Sequence, residues 1–163
     1  MEEVVKMLIK LNKTISTMES CTGGGLANAI TNIPDSSKVI KFSAVTYSNE
    51  FKERMGVDGY IINKYSVYSM ETAESMAYNI SLFTGSDFGV GITGKLGRPD
   101  ENNLSGNDST VYISLYDKEN DEFYDKIVQV VHDNRKDNKD QVIDECENLI
   151  YVVLSRKKKS VTM

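Results

Sequence analysis

The segment TISTMESCTGGGLANAI, residues 14–30, contains the pattern that decides the fold. Residues 14–18 predict a short strand, residues 19–25 a glycine turn, and the apolar run at residues 26–30 a helix. A strand that leads through a glycine turn into a helix exposes the hydroxyl of Ser20 and several backbone N–H groups. Because the N-terminus of a helix attracts anions, the segment indicates an α/β fold with a candidate anion site.

The flanking sequence supplies the other elements of such a domain. Helices are predicted at residues 2–11, 49–55, 70–84 and 139–154, and strands at residues 39–47, 88–93, 110–116 and 123–131. Strands separated by helices at the front of the chain and paired strands near its end predict a single-domain α/β sandwich with a mixed sheet flanked by helices. Residues 94–108 are polar and lack periodicity, which predicts a long loop with a functional role.

The charge distribution excludes one class of partner. The 163 residues include 19 basic and 24 acidic side chains, with a formal net charge of −5. Four of the basic residues lie at 156–159, so the rest of the chain is more acidic still. A nucleic-acid-binding face is therefore not expected. We expect residues 1–154 to form the domain and residues 155–163 to form a disordered basic tail.

The metal-ligating and nucleophilic residue types are few. Cys21, Cys146 and the single histidine, His132, offer neither a zinc cluster nor a disulfide framework, and no metal or cofactor is expected. A Ser/His/Asp triad would depend on His132 alone, so a hydrolase is expected to use another base. Residues 1–13 contain neither the apolar core of a signal peptide nor a membrane span. A cytoplasmic protein with no membrane partner is expected, and its thiols fit a reducing compartment.

Four motifs follow one another along the chain. They are ESCTGG at residues 19–24, YSNEFK at residues 47–52, Gly56-Val57, and a helix opened by Ser69 that carries Ala73, Met76 and Ala77. In this order and spacing they resemble the carboxy-terminal domain of CinA proteins, which also occurs alone as the nicotinamide-nucleotide amidase. The resemblance extends over roughly residues 5–154. It implies a homo-oligomer with a small nucleotide as its substrate.

The resemblance also implies a reaction and a set of site residues. The reaction is hydrolysis of nicotinamide mononucleotide to nicotinate mononucleotide and ammonia, without a metal. Carried over to this sequence, Ser20 is the nucleophile, Lys52 the base and Tyr47 the relay or orienting hydroxyl. The residues implied in substrate binding are Thr22, Gly23, Gly24, Thr93, Gly94 and Arg135. The backbone N–H groups of residues 21–24 would hold the tetrahedral oxyanion.

Each of these assignments has a plainer structural alternative. Ser20 could cap the following helix, and Lys52 could be a solvated helix residue paired with Glu53. Tyr47 could be a half-buried strand residue. A lysine base must also lose several kcal/mol of charge stabilisation through burial, and the apolar residues near it in sequence are Phe42, Val45 and Phe51.

The loop at residues 93–100 departs from the family pattern. TGKLGRPD stands where the family usually has a TGIAGPGG-like loop, which introduces the cations Lys95 and Arg98. These cations either contact an anionic ligand or are solvated loop charges. Further along, Arg135 and Lys139 lie four apart, a spacing that could hold a phosphate on one helix face.

Three functions therefore stay open at this stage. The first is the metal-independent amidohydrolase that the resemblance implies. The second is a non-catalytic nucleotide- or anion-binding module of the same fold, which would be stabilised by ligand without forming product. The third is an amidase or esterase for another small anionic substrate.

Overall fold

The computed structural model describes residues 1–161. Within this range the helices are α1 (Glu2–Leu11), α2 (Gly25–Thr31), α3 (Asn49–Arg54), α4 (Gly59–Tyr65), α5 (Met70–Thr84) and α6 (Arg135–Val161), with a short 3₁₀ turn at Ser36–Lys38. The strands are β1 (Ile15–Glu19), β2 (Ser43–Val45), β3 (Phe88–Gly94), β4 (Thr110–Asp117) and β5 (Glu122–Gln129). No helix within residues 1–161 is both long and apolar enough to cross a membrane.

The five strands form one mixed sheet in the order β2-β1-β3-β4-β5. Strand β1 is parallel to both β2 and β3, whereas β4 is antiparallel to β3 and β5. The predicted α/β class with a mixed sheet is confirmed. Glu19, the last residue of β1, pairs with Val45 of β2 and Ile92 of β3. The carboxyl ends of three parallel strands therefore meet at one edge, where α/β sheets commonly bind ligands.

Helices cover both faces of the sheet and enclose two apolar cores. The larger core includes α1, α2 and α6 side chains, and the smaller one includes Met18 of β1 and Met76 of α5. Helix α5 lies directly on β3 because that strand has glycine at two positions. A Cβ at Gly89 would lie 2.0 Å from Ala77 O, and one at Gly91 would lie 2.1 Å from Ala73 O. These glycines bring the helix and strand backbones together and explain why β3 carries no larger side chain there.

Most predicted elements are confirmed, but the predicted strand at residues 39–47 is too long. Only residues 43–45 form a ladder with β1, and on either side of it the contact is reduced to single backbone hydrogen bonds at Val39 and Thr46. Helix α4 was not predicted. It begins after Asp58, whose carboxylate accepts a hydrogen bond from the N–H of Tyr60 at 2.9 Å. The Asp58-Gly59 pair is typical of a turn, and here it caps a helix.

The prediction of a disordered tail is wrong for residues 155–161. Helix α6 begins at Arg135, four residues before the predicted start, and continues through residue 161. Lys157 attaches the C-terminal part of α6 to the sheet, because the Lys157 Nζ lies 2.7 Å from the buried Asp117 and 2.9 Å from Glu119. Residues 162 and 163, also predicted to be disordered, lie outside the described residues.

Candidate active site

A buried carboxylate organises the turn between β1 and α2. Glu19 is fully buried, and its two oxygens accept hydrogen bonds from the N–H groups of Leu26 and Ala27, each at 2.9 Å. The hydroxyls of Thr22 and Thr17 also donate to it, at 2.6 and 3.2 Å. Glu19 therefore satisfies N–H groups in the first turn of α2 that the helix itself leaves unpaired. The alternative in which Ser20 caps this helix is wrong.

The side chain of Ser20 meets a buried lysine instead. Lys52 Nζ lies 3.1 Å from Ser20 Oγ and donates to Thr46 O at 2.8 Å. Lys52 is only 1% exposed. Burial lowers the pKa of the Lys52 amine from 10.5 to about 8, because the charged form loses its hydration. The alternative of a solvated lysine paired with Glu53 is wrong.

Helix α3 positions Lys52. The hydroxyl of Ser48 accepts a hydrogen bond from the N–H of Phe51 at 3.2 Å and begins the helix at the carboxyl end of β2. Phe51 and Val45, two of the apolar neighbours in sequence, stay 51% exposed. The burial of the amine therefore depends on the sheet edge and the surrounding loops rather than on these two side chains.

Cys21, the neighbour of Ser20, is not equipped to be the nucleophile. Its side chain is buried, and burial raises the pKa of the thiol to about 12. The thiol therefore stays protonated at neutral pH, and a protonated thiol is a poor nucleophile.

Ser20 and Lys52 open into a cavity of about 590 Å³. The cavity is lined by Ser20, Cys21, Tyr47, Ser48, Asn49, Lys52, Val67, Tyr68, Gly94, Lys95, Leu96, Arg98, Pro99, Asp100, Asn102, Asn103 and Arg135. Five of the predicted site residues thus share one cavity. This volume is in the range of small-molecule sites, roughly 300–1,000 Å³.

Tyr47 lies at the open side of this cavity. It is 65% exposed, and its hydroxyl accepts a hydrogen bond from Arg135 Nη2 at 3.2 Å. No hydrogen bond within residues 1–161 joins Tyr47 to Lys52 or Ser20. Arg135 is the first residue of α6, so this contact brings a cation to the cavity mouth.

The other predicted binding residues, Thr22, Gly23, Gly24 and Thr93, lie outside the cavity lining. The hydroxyl of Thr93 donates to Val67 O at 2.9 Å, and that of Thr22 donates to Glu19. Gly23 and Gly24 have φ angles of 62° and 92°, in the left-handed region that suits glycine. These four residues do not line the cavity, and their role in substrate binding stays a prediction.

The loop at residues 94–108 forms one wall of the cavity. Hydrogen bonds connect it to the segment before α5 and to helix α3. Asp100 accepts a hydrogen bond from the hydroxyl of Tyr68, which lies just before α5. Asn103 Oδ1 accepts a hydrogen bond from Asn49 Nδ2 of α3 at 3.2 Å. Lys95 is buried, and its Nζ lies 4.9 Å from the centre of the Tyr68 ring and 3.4 Å from Asp108. The alternative of solvated loop charges is therefore wrong for Lys95.

Sequence reasoning missed three residues of this arrangement. Glu19 belongs to the ESCTGG motif, and a carboxylate directly before a helix-opening turn is a signal for N-terminal capping. Tyr68 and Asp100 gave no such signal, because they are 32 positions apart and meet only in the folded chain. Among the described residues, no group of three or more His, Cys, Asp or Glu side chains could hold a metal ion.

The site lies within a domain that a family profile recognises over nearly the whole chain. The profile of the CinA C-terminal domain matches residues 1–154. This chain belongs to the CinA C-terminal domain family. The resemblance found in the four sequence motifs is thereby confirmed.

Related proteins agree with this membership. A competence-damage inducible protein of Clostridium beijerinckii is 44% identical over 116 residues, which are 71% of this chain and 28% of that protein. A protein of the same name from Clostridium novyi is 44% identical over 117 residues, again 71% of this chain and 28% of that protein. This chain thus spans about a quarter of the length of the curated relatives it matches.

Solved structures show the same fold. The crystal structure of a CinA superfamily protein from Klebsiella pneumoniae superposes with a TM-score of 0.86 at 22% identity and covers 95% of both chains. That of a competence/damage inducible protein from Agrobacterium tumefaciens gives a TM-score of 0.78 at 25% identity over 94% of this chain and 93% of the other.

Proposed function

We propose that this CinA-family domain is a metal-independent amidohydrolase that hydrolyses the carboxamide of nicotinamide mononucleotide. The observation that carries the proposal is the 3.1 Å contact between Lys52 Nζ and Ser20 Oγ in a cavity able to hold a nucleotide. A serine beside a buried amine is a nucleophile with its base, and the pair needs no histidine. The cations Arg135 and Arg98 line the same cavity and suit a phosphate.

The contacts of Lys52 suit the first step. A neutral amine has two N–H bonds and one lone pair, and Thr46 O accepts from one of the N–H bonds. The lone pair can then take the proton of Ser20 Oγ while that oxygen attacks the carboxamide carbon. The carbonyl oxygen becomes an oxyanion, and N–H groups of the turn at residues 21–24 are close to the attacking serine.

The same lysine completes the reaction. The Lys52 ammonium returns its proton to the leaving nitrogen, so that ammonia departs and Ser20 carries the acyl group as an ester. Lys52, neutral again, accepts a proton from water as the water attacks this ester. Nicotinate mononucleotide leaves, and the proton returns to Ser20.

The test is ammonia release from nicotinamide mononucleotide with chelator present. We expect release by the unmodified protein and a loss on the order of 10³-fold or more in Ser20→Ala, because no other group replaces the nucleophile. Ser37→Ala is the matched control, since Ser37 is exposed and outside the cavity. If the protein releases no ammonia while the nucleotide still raises its melting temperature, the proposal fails in favour of a binding module.

We also expect turnover to rise with pH and to level off above about pH 8. Lys52 must be neutral to accept the serine proton, and burial has lowered its pKa to about 8. Below that pH the lysine is protonated, so kcat/KM should fall about tenfold per pH unit. Rates measured from about pH 6 to about pH 9.5 check this, and a flat profile across the range would contradict the role of Lys52 as the base.

A further inference from the structure

The wall at residues 94–108 presents a fixed carboxylate to the cavity. Asp100 Oδ2 accepts hydrogen bonds from the Tyr68 hydroxyl and from Asn103 Nδ2, the latter at 3.1 Å. Its Oδ1 accepts from the N–H of Asn102 at 3.0 Å. The Tyr68 hydrogen bond is the main cause that lowers the pKa of Asp100, and Asn103, Asn102 and the charge of Lys95 add to it. The group is therefore ionised at neutral pH and held in one orientation.

This negative charge has no cation in direct contact. Within residues 1–161, no lysine or arginine nitrogen pairs with Asp100 at 4.0 Å or less. The nearby Lys95 pairs with Asp108 instead and lies against the Tyr68 ring. The Asp100 carboxylate is therefore available to a positive charge on a ligand.

The field of Asp100 reaches the reacting groups. Its negative charge acts on the Lys52 ammonium and opposes part of the pKa decrease that burial causes. Lys95 also acts on Asp100, from its position over the Tyr68 ring, whereas Tyr47 holds Arg135 at the cavity mouth. The cavity thus presents both signs of charge, a carboxylate felt at the reacting lysine and an arginine at the entrance. A ligand of matching chemistry carries an anionic group and a separate positive charge near its reacting carbon.

We propose that Asp100 selects a substrate whose ring is positively charged, so that the site favours an oxidised pyridine nucleotide over the dihydropyridine form. This inference rests on the proposed function, because the pyridinium ring of nicotinamide mononucleotide carries the carboxamide that Ser20 attacks. The dihydro form has nearly the same shape and the same phosphate but a neutral ring. Asp100 is thus a specificity-determining residue, and Tyr68 is the positioning residue that holds it.

The test compares the affinities of these two nucleotides. Binding of nicotinamide mononucleotide and of its dihydro form is measured by calorimetry in a Ser20→Ala background, which prevents turnover. We expect the oxidised form to bind about threefold to tenfold more tightly, the range for a partly solvated charge pair. Asp100→Asn keeps the size and acceptor oxygen of the side chain and should reduce this ratio to about one. The affinity for the dihydro form should stay within about twofold.

Glu101→Gln is the matched control. Glu101 is the exposed neighbour of Asp100 in the same loop and does not line the cavity. Its substitution removes one negative charge, as Asp100→Asn does. The ratio should persist in this variant, and melting curves show whether each variant is folded. The inference would be overturned if the ratio of the two affinities were the same with and without Asp100→Asn in the Ser20→Ala background. It would also be overturned if the Ser20→Ala protein itself showed no preference for the oxidised form.

Two outcomes separate this inference from the proposed function. A ratio that depends on Asp100 in a protein that releases no ammonia would support the inference and refute the hydrolase. Ammonia release by the unmodified protein together with a ratio indifferent to Asp100 would refute the inference alone.

Discussion

Lys52→Met should lower kcat for ammonia release by about 10²–10⁴-fold, the contribution of a positioned general base. Methionine fills a similar volume but has no lone pair that can accept the Ser20 proton. The fold should survive, since Lys52 is almost fully buried and its charge is costly there. At neutral pH the lysine is protonated in both the folded and unfolded states, and its lowered folded-state pKa opposes folding. The melting temperature should therefore be unchanged or higher.

The stability effect has a defined pH window. The folded-state pKa of Lys52 is about 8, below its ordinary value of 10.5. The folded protein therefore binds fewer protons than the unfolded chain between these values. Its stability should rise with pH across this window relative to Lys52→Met. Lys10→Met, at an exposed position on α1, is the control for loss of a lysine. Undiminished turnover in Lys52→Met would remove the lysine from the mechanism.

Glu19→Ala should destabilise the domain by roughly 3–5 kcal/mol and reduce turnover with it. The change removes the acceptor for two N–H groups of α2 and for two threonine hydroxyls. These four donors are then left in the protein interior without the carboxylate that accepts their hydrogen bonds. It also releases the turn that presents Ser20, the residue next to Glu19. Urea or thermal unfolding measures the first effect, and ammonia release by the remaining folded protein measures the second.

Two further variants make this test specific. Glu50→Ala removes a carboxylate that is exposed and paired with Arg54, and should change stability by less than about 0.5 kcal/mol. Glu19→Gln keeps one acceptor oxygen and should lie between Glu19→Ala and the unmodified protein. A melting temperature of Glu19→Ala equal to that of Glu50→Ala would show that Glu19 does not hold the turn.

Much of the fold could be predicted because its signals are local. Apolar residues at helical spacing placed α1 at residues 2–11, and the capping serine Ser69 placed α5 at residues 70–84. Strand β2 and helix α4 were misjudged for a related reason. Residues 39–47 favour a strand by composition, but only residues 43–45 form a ladder with β1, and pairing is a tertiary event.

The tail illustrates the same distinction. Residues 156–159 are a run of bases whose composition predicts disorder. The partner of Lys157 is the buried Asp117, 40 positions earlier at the end of β4. Repulsion between like charges disfavours a helix in an isolated basic segment. The contact of Lys157 with a buried carboxylate stabilises the helix here.

Residue types and spacings were sufficient to predict the α/β class, the strand–turn–helix unit around Ser20 and, through four motifs in order, the CinA family. These properties depend on residue types and spacings along the chain. Tertiary structure alone decided that Lys52 is buried beside Ser20, that Glu19 caps α2, and that Asp100 meets Tyr68 in the cavity wall. Burial, pKa and charge partners depend on distances between atoms far apart in sequence, and only the folded chain specifies those distances.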